Sequence, residues 1–156
     1  MSLAVSGTGG PGKAFEGSTM IHHVSVGTSD IKRARSFYDP LMALIGFRVI
    51  KASEQSAHYG ASDIAFSVET PIDGNPATAG NGVHIAFQAP DRETVRRFHA
   101  SAISNGGHDA GAPGIREKYN ANYYGTFVKD PDGNKVEAVT YTARESFPLL
   151  CSGTTR

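Results

Sequence analysis

HVSVGTSDIKRARSFY, running from His23 to Tyr38, lies without a gap over HIAFQAPDRETVRRFH, running from His84 to His99, when the chain is shifted against itself by 61 residues. His23 meets His84, Val24 meets Ile85, Val26 meets Phe87, Asp30 meets Asp91 and Phe37 meets Phe98; further on, Gly46 meets Gly107. Self-similarity at a fixed period reports a repeated supersecondary unit. Two copies of one small module are therefore the organising expectation.

Each copy opens on an alternating segment. Val24 and Val26, or Ile85 and Phe87, share one face, and His23 and Ser25, or His84 and Ala86, share the other. That period belongs to a strand with a single packed face. Ile31, Ala34, Phe37, Tyr38, Leu41 and Ile45 then recur at helical spacing, opposed by Lys32, Arg33, Arg35 and Ser36. Asp30 suits the N-cap. Pro40 falls inside this stripe, where a missing N–H is expected to kink the helix. Ser101 takes its place in the second copy, whose helix from Asp91 to about Asn105 should run straighter.

Glycines stop both helices, Gly46 in the first copy and Gly106 with Gly107 in the second, as a left-handed C-terminal cap requires. Strand-like runs follow at 47–52, 56–60 and 64–69, and again at 125–129 and 136–141 across the turn Asp130-Pro131-Asp132-Gly133-Asn134. Residues 108–122 are less regular and carry the remaining strand. The pattern predicts an α+β fold of two paired βαβββ modules forming a cupped mixed sheet with helices on its outer face. Module one spans 20–70, a Pro- and Gly-punctuated linker 71–81, and module two 82–142. Residues 1–19, with Gly7, Gly9, Gly10, Gly12 and Gly17, read as a flexible leader, and 143–156 as a C-terminal tail.

Composition narrows the function. At 156 residues the chain suits one globular unit, and 15 basic against 15 acidic side chains give no excess for neutralising phosphates, so a nucleic-acid partner is not expected. No apolar run approaches the roughly 20 residues of a membrane span, and no secretory h-region opens the chain. Cys151 has no second cysteine to pair with, which fits a reducing, cytoplasmic location.

Three side chains carry the chemistry. His23 and His84 hold equivalent places in the two copies, on the face away from the helices, where pseudo-symmetry can bring them together. Glu137 sits in the apolar run Val136-Glu137-Ala138-Val139, where an ionised carboxylate is costly unless paired or metal-bound. Two imidazoles and a carboxylate suit zinc, nickel, manganese or iron(II) and leave coordination positions open. His22 competes with His23, but the repeat sets His22 opposite Val83, in the other row.

Ile21-His22-His23-Val24-Ser25-Val26, Ser36-Phe37-Tyr38, Gly46-Phe47, His84-Ile85-Ala86-Phe87 and Asp130 through Glu137 together resemble the vicinal oxygen chelate superfamily. That superfamily includes glyoxalase I, extradiol dioxygenases, fosfomycin-resistance enzymes and bleomycin-binding proteins. The resemblance covers about Met20 to Thr142. It implies that His23, His84 and Glu137 are ligands of one divalent metal inside a cupped sheet, within one chain or between the two chains of a homodimer. It also implies, for glyoxalase I, a fourth carboxylate ligand that serves as proton-transfer base in the strand 64–69. Alternation turns Ala65, Ser67 and Glu69 toward the cup there, and neither Ala65 nor Ser67 is a carboxylate. Glu69 keeps the parity but stands near the strand end.

Tyr119, Tyr123, Tyr124, His58 and His108 complete the polar candidates. Tyr124, just before the strand 125–129, is the first choice for a hydrogen bond toward a bound substrate oxygen. His99, matching Tyr38, reads as structural. The expected activity is that of a metal-dependent lyase or isomerase acting on a small molecule with vicinal oxygens. An iron(II) extradiol-type dioxygenase and a non-catalytic antibiotic-binding protein are its rivals.

Overall fold

A computed structural model describes residues 21–142; the leader, the tail and Cys151 lie outside the described residues. Module one runs β1 (Val24–Gly27), α1 (Ile31–Leu44), β2 (Arg48–Ala52), β3 (Ser56–Gly60) and β4 (Phe66–Glu69). Module two repeats the order with β5 (His84–Gln88), α2 (Arg92–Ser104), β6 (His108–Ile115), β7 (Tyr124–Lys129) and β8 (Lys135–Thr140). The βαβββ repeat is thus present in both copies. No helix among the described residues is long and apolar enough to cross a membrane.

Each module builds its own four-stranded mixed sheet, ordered β1-β4-β3-β2 and β5-β8-β7-β6. The first strand of each copy lies parallel to the last, and the other pairs are antiparallel. One face of each sheet carries the helix. Phe66, Val68, Val128, Val136 and Ala138 point to that face and are fully buried with Phe37, Tyr38, Leu41, Val95 and Phe98 from the helices. The opposite faces are the open faces.

Local chemistry sets the helix ends. Asp30 and Asp91 accept from the backbone N–H groups of Arg33 (3.0 Å) and Thr94 (2.7 Å), satisfying first-turn donors. Gly46 and Gly106 adopt φ of 86° and 89°, the left-handed conformation that glycine enters without a Cβ penalty. The structural counterpart of Gly46 is therefore Gly106 rather than Gly107, because α2 is one residue shorter than α1. Gly107 has a different duty: a Cβ there would stand 2.6 Å from the Phe37 ring.

Helix α1 continues through Pro40 to Leu44. Proline in a helix interior costs about 3 kcal/mol, and the buried side chains of Phe37, Tyr38, Leu41 and Met42 on either side of it supply the offset. In β6 the irregular sequence has a structural counterpart. The strand occupies the sheet edge, carries Pro113 and shifts register between Asp109 and Gly111 and again between Gly111 and Gly114.

A polar clip joins the modules. The turn after β7 places Asp130 in the core, where Oδ2 accepts from the Tyr38 hydroxyl at 2.7 Å and Oδ1 accepts from the backbone N–H groups of Asp132 and Asn134. Asp132 reaches the β1–α1 junction of module one, accepting from Thr28 Oγ1 (2.6 Å), Ser29 N (3.1 Å) and Arg33 (2.8 Å). Asn134 donates to the Gly27 carbonyl. Phe66 and Phe87 meet edge to face across the same boundary, 5.1 Å between ring centres.

Candidate functional site

Strand register decides which side chains share the open face. In module two, Ala86 of β5 stands beside Glu137 of β8, which stands beside Phe127 of β7, which stands beside Gly111 of β6. The equivalent row of module one is Ser25, Ser67, His58 and Lys51. Ser67 is therefore the counterpart of Glu137. The carboxylate absent from module one is absent at the position pseudo-symmetry makes equivalent.

Glu137 is 1% exposed, and its two oxygens have different partners. Oε2 faces His84 Nε2 at 3.4 Å, and Oε1 accepts from the Tyr123 hydroxyl at 2.5 Å. Gly125 makes the space, since a Cβ there would stand 3.0 Å from Oε1 and 3.2 Å from the Tyr123 ring. Burial, and then the Glu137 carboxylate, push the Tyr123 hydroxyl well above the ordinary tyrosine range, so it stays a donor. Tyr119 and Tyr141 hold its ring edge-on, each 5.2 Å away between centres. Among the described residues no Lys or Arg lies within ion-pair distance of Glu137.

His23 does not join this pair within one chain. It precedes β1, is exposed, and its Nδ1 meets Nδ1 of His22 at 2.9 Å. Among the described residues, no group of three His, Cys, Asp or Glu side chains gathers closely enough to hold a metal ion. What one chain presents is a two-donor half-site, an imidazole nitrogen and a buried carboxylate oxygen. These are donors that suit divalent zinc, nickel, manganese and iron(II), and they stand over a cradle that a Cβ at residue 125 would fill.

The remaining candidates separate by face. Tyr124 lies on the helix side, its ring beneath the Arg92 guanidinium at 5.0 Å, and it is its neighbour Tyr123 whose hydroxyl reaches Glu137. Parity held the signal: Lys129 pairs with Lys135 across the turn, which sets Phe127 beside Glu137 and continues the same face to residues 125 and 123. In module one, His58 is clamped between Ser67 Oγ (2.7 Å from Nδ1) and Ser56 Oγ (3.0 Å from Nε2). Glu69 is half-buried beside it, 3.8 Å from Nδ1, and accepts from Ser25 at 3.4 Å. Glu69 also lines a cavity of about 680 Å³ whose wall includes Ser56, Thr70 and Asn75. His99 pairs with Asp109 at 2.9 Å, a structural contact, and His108 is exposed.

Two linked βαβββ modules, each with its own mixed sheet and helix, define the class of fold. Residues 20–138 match the Glyoxalase/Bleomycin resistance protein/Dioxygenase superfamily, and the chain belongs to it. A glyoxalase/bleomycin resistance protein from Albidiferax ferrireducens T118 is similar at 37% identity, over 78% of this chain and 98% of that one, with a TM-score of 0.73. The fold is also shared with a glyoxalase-related enzyme from Fulvimarina pelagi (15% identity, 78% and 88% covered, TM-score 0.62). A third similar fold is that of the fosfomycin resistance protein FosX from Mesorhizobium loti (21% identity, 83% and 96% covered, TM-score 0.54). No curated protein matches the chain.

Proposed function

We propose that the chain is a metal-dependent enzyme of lyase or isomerase type, acting on a small molecule with vicinal oxygens, and that His84, Glu137 and His23 are its metal ligands. One observation carries this reading: a fully buried carboxylate aimed at an imidazole, with no Lys or Arg among the described residues within ion-pair distance. A divalent ion held there would act as a Lewis acid on two neighbouring substrate oxygens. Tyr123 fixes the Glu137 carboxylate through Oε1 and leaves Oε2 turned toward His84. Glu69, steadied by Ser25 and His58, is the carboxylate offered for proton transfer on the module-one side.

The third ligand comes from a second copy. Among the described residues, His23 forms no metal-sized group with His84 and Glu137, and no strand of one sheet is hydrogen-bonded to a strand of the other. A homodimer that sets module one of one copy against module two of another would bring His23 to His84 and Glu137. Elemental analysis of purified protein gives metal content and identity; His84→Ala is expected to abolish stoichiometric metal while leaving the fold, and full metal content in that variant would refute the assignment. Redox-inert zinc or nickel supports lyase or isomerase chemistry, whereas iron would redirect the proposal to dioxygenation. Mixing His23→Ala protein with His84→Ala protein tests the sharing. A site shared between copies regains one intact ligand set in the mixed dimer, and a site confined to one chain regains none.

A further inference from the structure

The half-site explains Glu137 and His84 but leaves two neighbouring cations unexplained. Lys135 is the register partner of His84 and lies two residues before Glu137, so all three share the open face of module two. Its Nζ stands 4.6 Å from the centre of the Phe127 ring. The Arg116 guanidinium stands over the same ring at 5.7 Å, and that ring is 6.1 Å from the His84 ring.

Arg116 reaches Phe127 because β6 has been stripped of side chains beneath it. Cβ atoms at Gly111 and Gly114 would stand 3.3 and 3.1 Å from the guanidinium nitrogens, so the two glycines form the bed on which it lies. Nη2 donates to the Ala112 carbonyl at 2.6 Å, which anchors one end. Both cations are half-buried.

Among the described residues, neither cation has a carboxylate within ion-pair distance. Asp109 feels the Arg116 charge only weakly, and it is committed to His99. Glu137 is committed to Tyr123 and His84. Two positive charges beside one ring repel each other, and an anion that contacts both offsets that repulsion. The ring face attracts each of them by about 1 kcal/mol at such sites and neutralises neither.

We propose that Arg116 and Lys135, over the floor of Phe127, form an anion-binding site that takes a carboxylate or phosphate group of the substrate and delivers the rest of the molecule to His84 and Glu137. This rests on the proposed function for the identity of the molecule as substrate, and it narrows that substrate to anions. Arginine supplies a planar fork of donors and lysine a compact charge, a combination that accommodates either a planar carboxylate or a tetrahedral phosphate.

The test uses full-length protein freed of metal with a chelator, so that it does not depend on the metal ligands. Benzoate, inorganic phosphate and neutral benzyl alcohol are titrated while backbone amide signals are followed by NMR. Saturable shifts centred on Gly111, Phe127 and Lys135 are expected with benzoate or phosphate and not with benzyl alcohol, and the tighter of the two anions identifies the group recognised. Arg116→Gln and Lys135→Gln should each weaken that binding about tenfold, whereas Lys32→Gln on the outer face of α1 should leave it unchanged. Absence of saturation, or equal binding in the Arg116 and Lys135 variants, overturns the site. Metal binding without anion binding removes this inference and leaves the proposed function. Anion binding without metal binding does the reverse.

Discussion

Module one and module two share strand order, helix caps and glycine stops, yet their open faces have opposite chemistry. The module-two row holds Ala86, Glu137, Phe127 and Gly111, one buried charge among apolar or absent side chains. The module-one row holds Ser25, Ser67, His58 and Lys51, all polar, with His58 bonded to Ser67 in the row and to Ser56 beside it. The charge in the first setting has one hydroxyl and one imidazole beside it and, among the described residues, no Lys or Arg within ion-pair distance. A charge in the second is satisfied by its neighbours. One scaffold occurs twice, and differences at a few row positions leave one copy with an imidazole–carboxylate pair and the other with a hydrogen-bonded wall.

The largest effect is expected where the two modules are tied together. Asp130→Ala leaves the Tyr38 hydroxyl and the backbone N–H groups of Asp132 and Asn134 without their acceptor. It should destabilise the fold by about 3 kcal/mol in urea unfolding. A loss below about 0.5 kcal/mol would mean that the clip does not hold the modules together.

A smaller effect separates the faces directly. Gly125→Ala pushes a Cβ against Glu137 and Tyr123 and should cost about 2 kcal/mol. Ser56 stands at the matching place in module one, and Ser56→Ala there should cost about 1 kcal/mol, the loss of its hydrogen bond to His58. Equal costs would erase the distinction between a crowded half-site and a tolerant wall. Next, Tyr123→Phe removes the one hydroxyl that fixes Oε1. It should lower stability by about 1 kcal/mol, and metal affinity, measured by calorimetry, by about tenfold.

The smallest concerns a pair without a counterpart. His99 occupies the place that Tyr38 buries in module one, and His99 instead holds Asp109. That contact, followed by the Gly111 backbone N–H, sets the Asp109 carboxyl below the ordinary aspartate range. A depressed folded-state pKa contributes stability that is present above the unfolded value, about 4, and is lost as pH falls through the folded value. An NMR titration should place Asp109 below the ordinary aspartate range, and His99→Gln should move it back up.

The fold was legible because its signals are local and repeated. The 61-residue register, Asp30 and Asp91 as caps, and the glycine stops each declare themselves within one turn or one strand. Pro40 misleads for the reason that its neighbours explain: burial of Phe37, Leu41 and Met42 outweighs one missing hydrogen bond. The candidate site was half legible. His84 and Glu137 meet as alternation predicts, while Tyr124 turns to the helix side and its neighbour Tyr123 to Glu137, a parity set by the pairing of β7 with β8.

The sequence alone determined the two modules, the faces of their strands and the residue types that can bind a metal, since these follow from periods of two and 3.6 residues and from side-chain chemistry. Only tertiary structure decided that His23 stands apart from His84 and Glu137, and that Arg116 crosses two glycines to reach the Phe127 ring that Lys135 also approaches. Those neighbours are set by cross-strand register, which two irregularities in β6 shift and which a one-dimensional pattern does not encode.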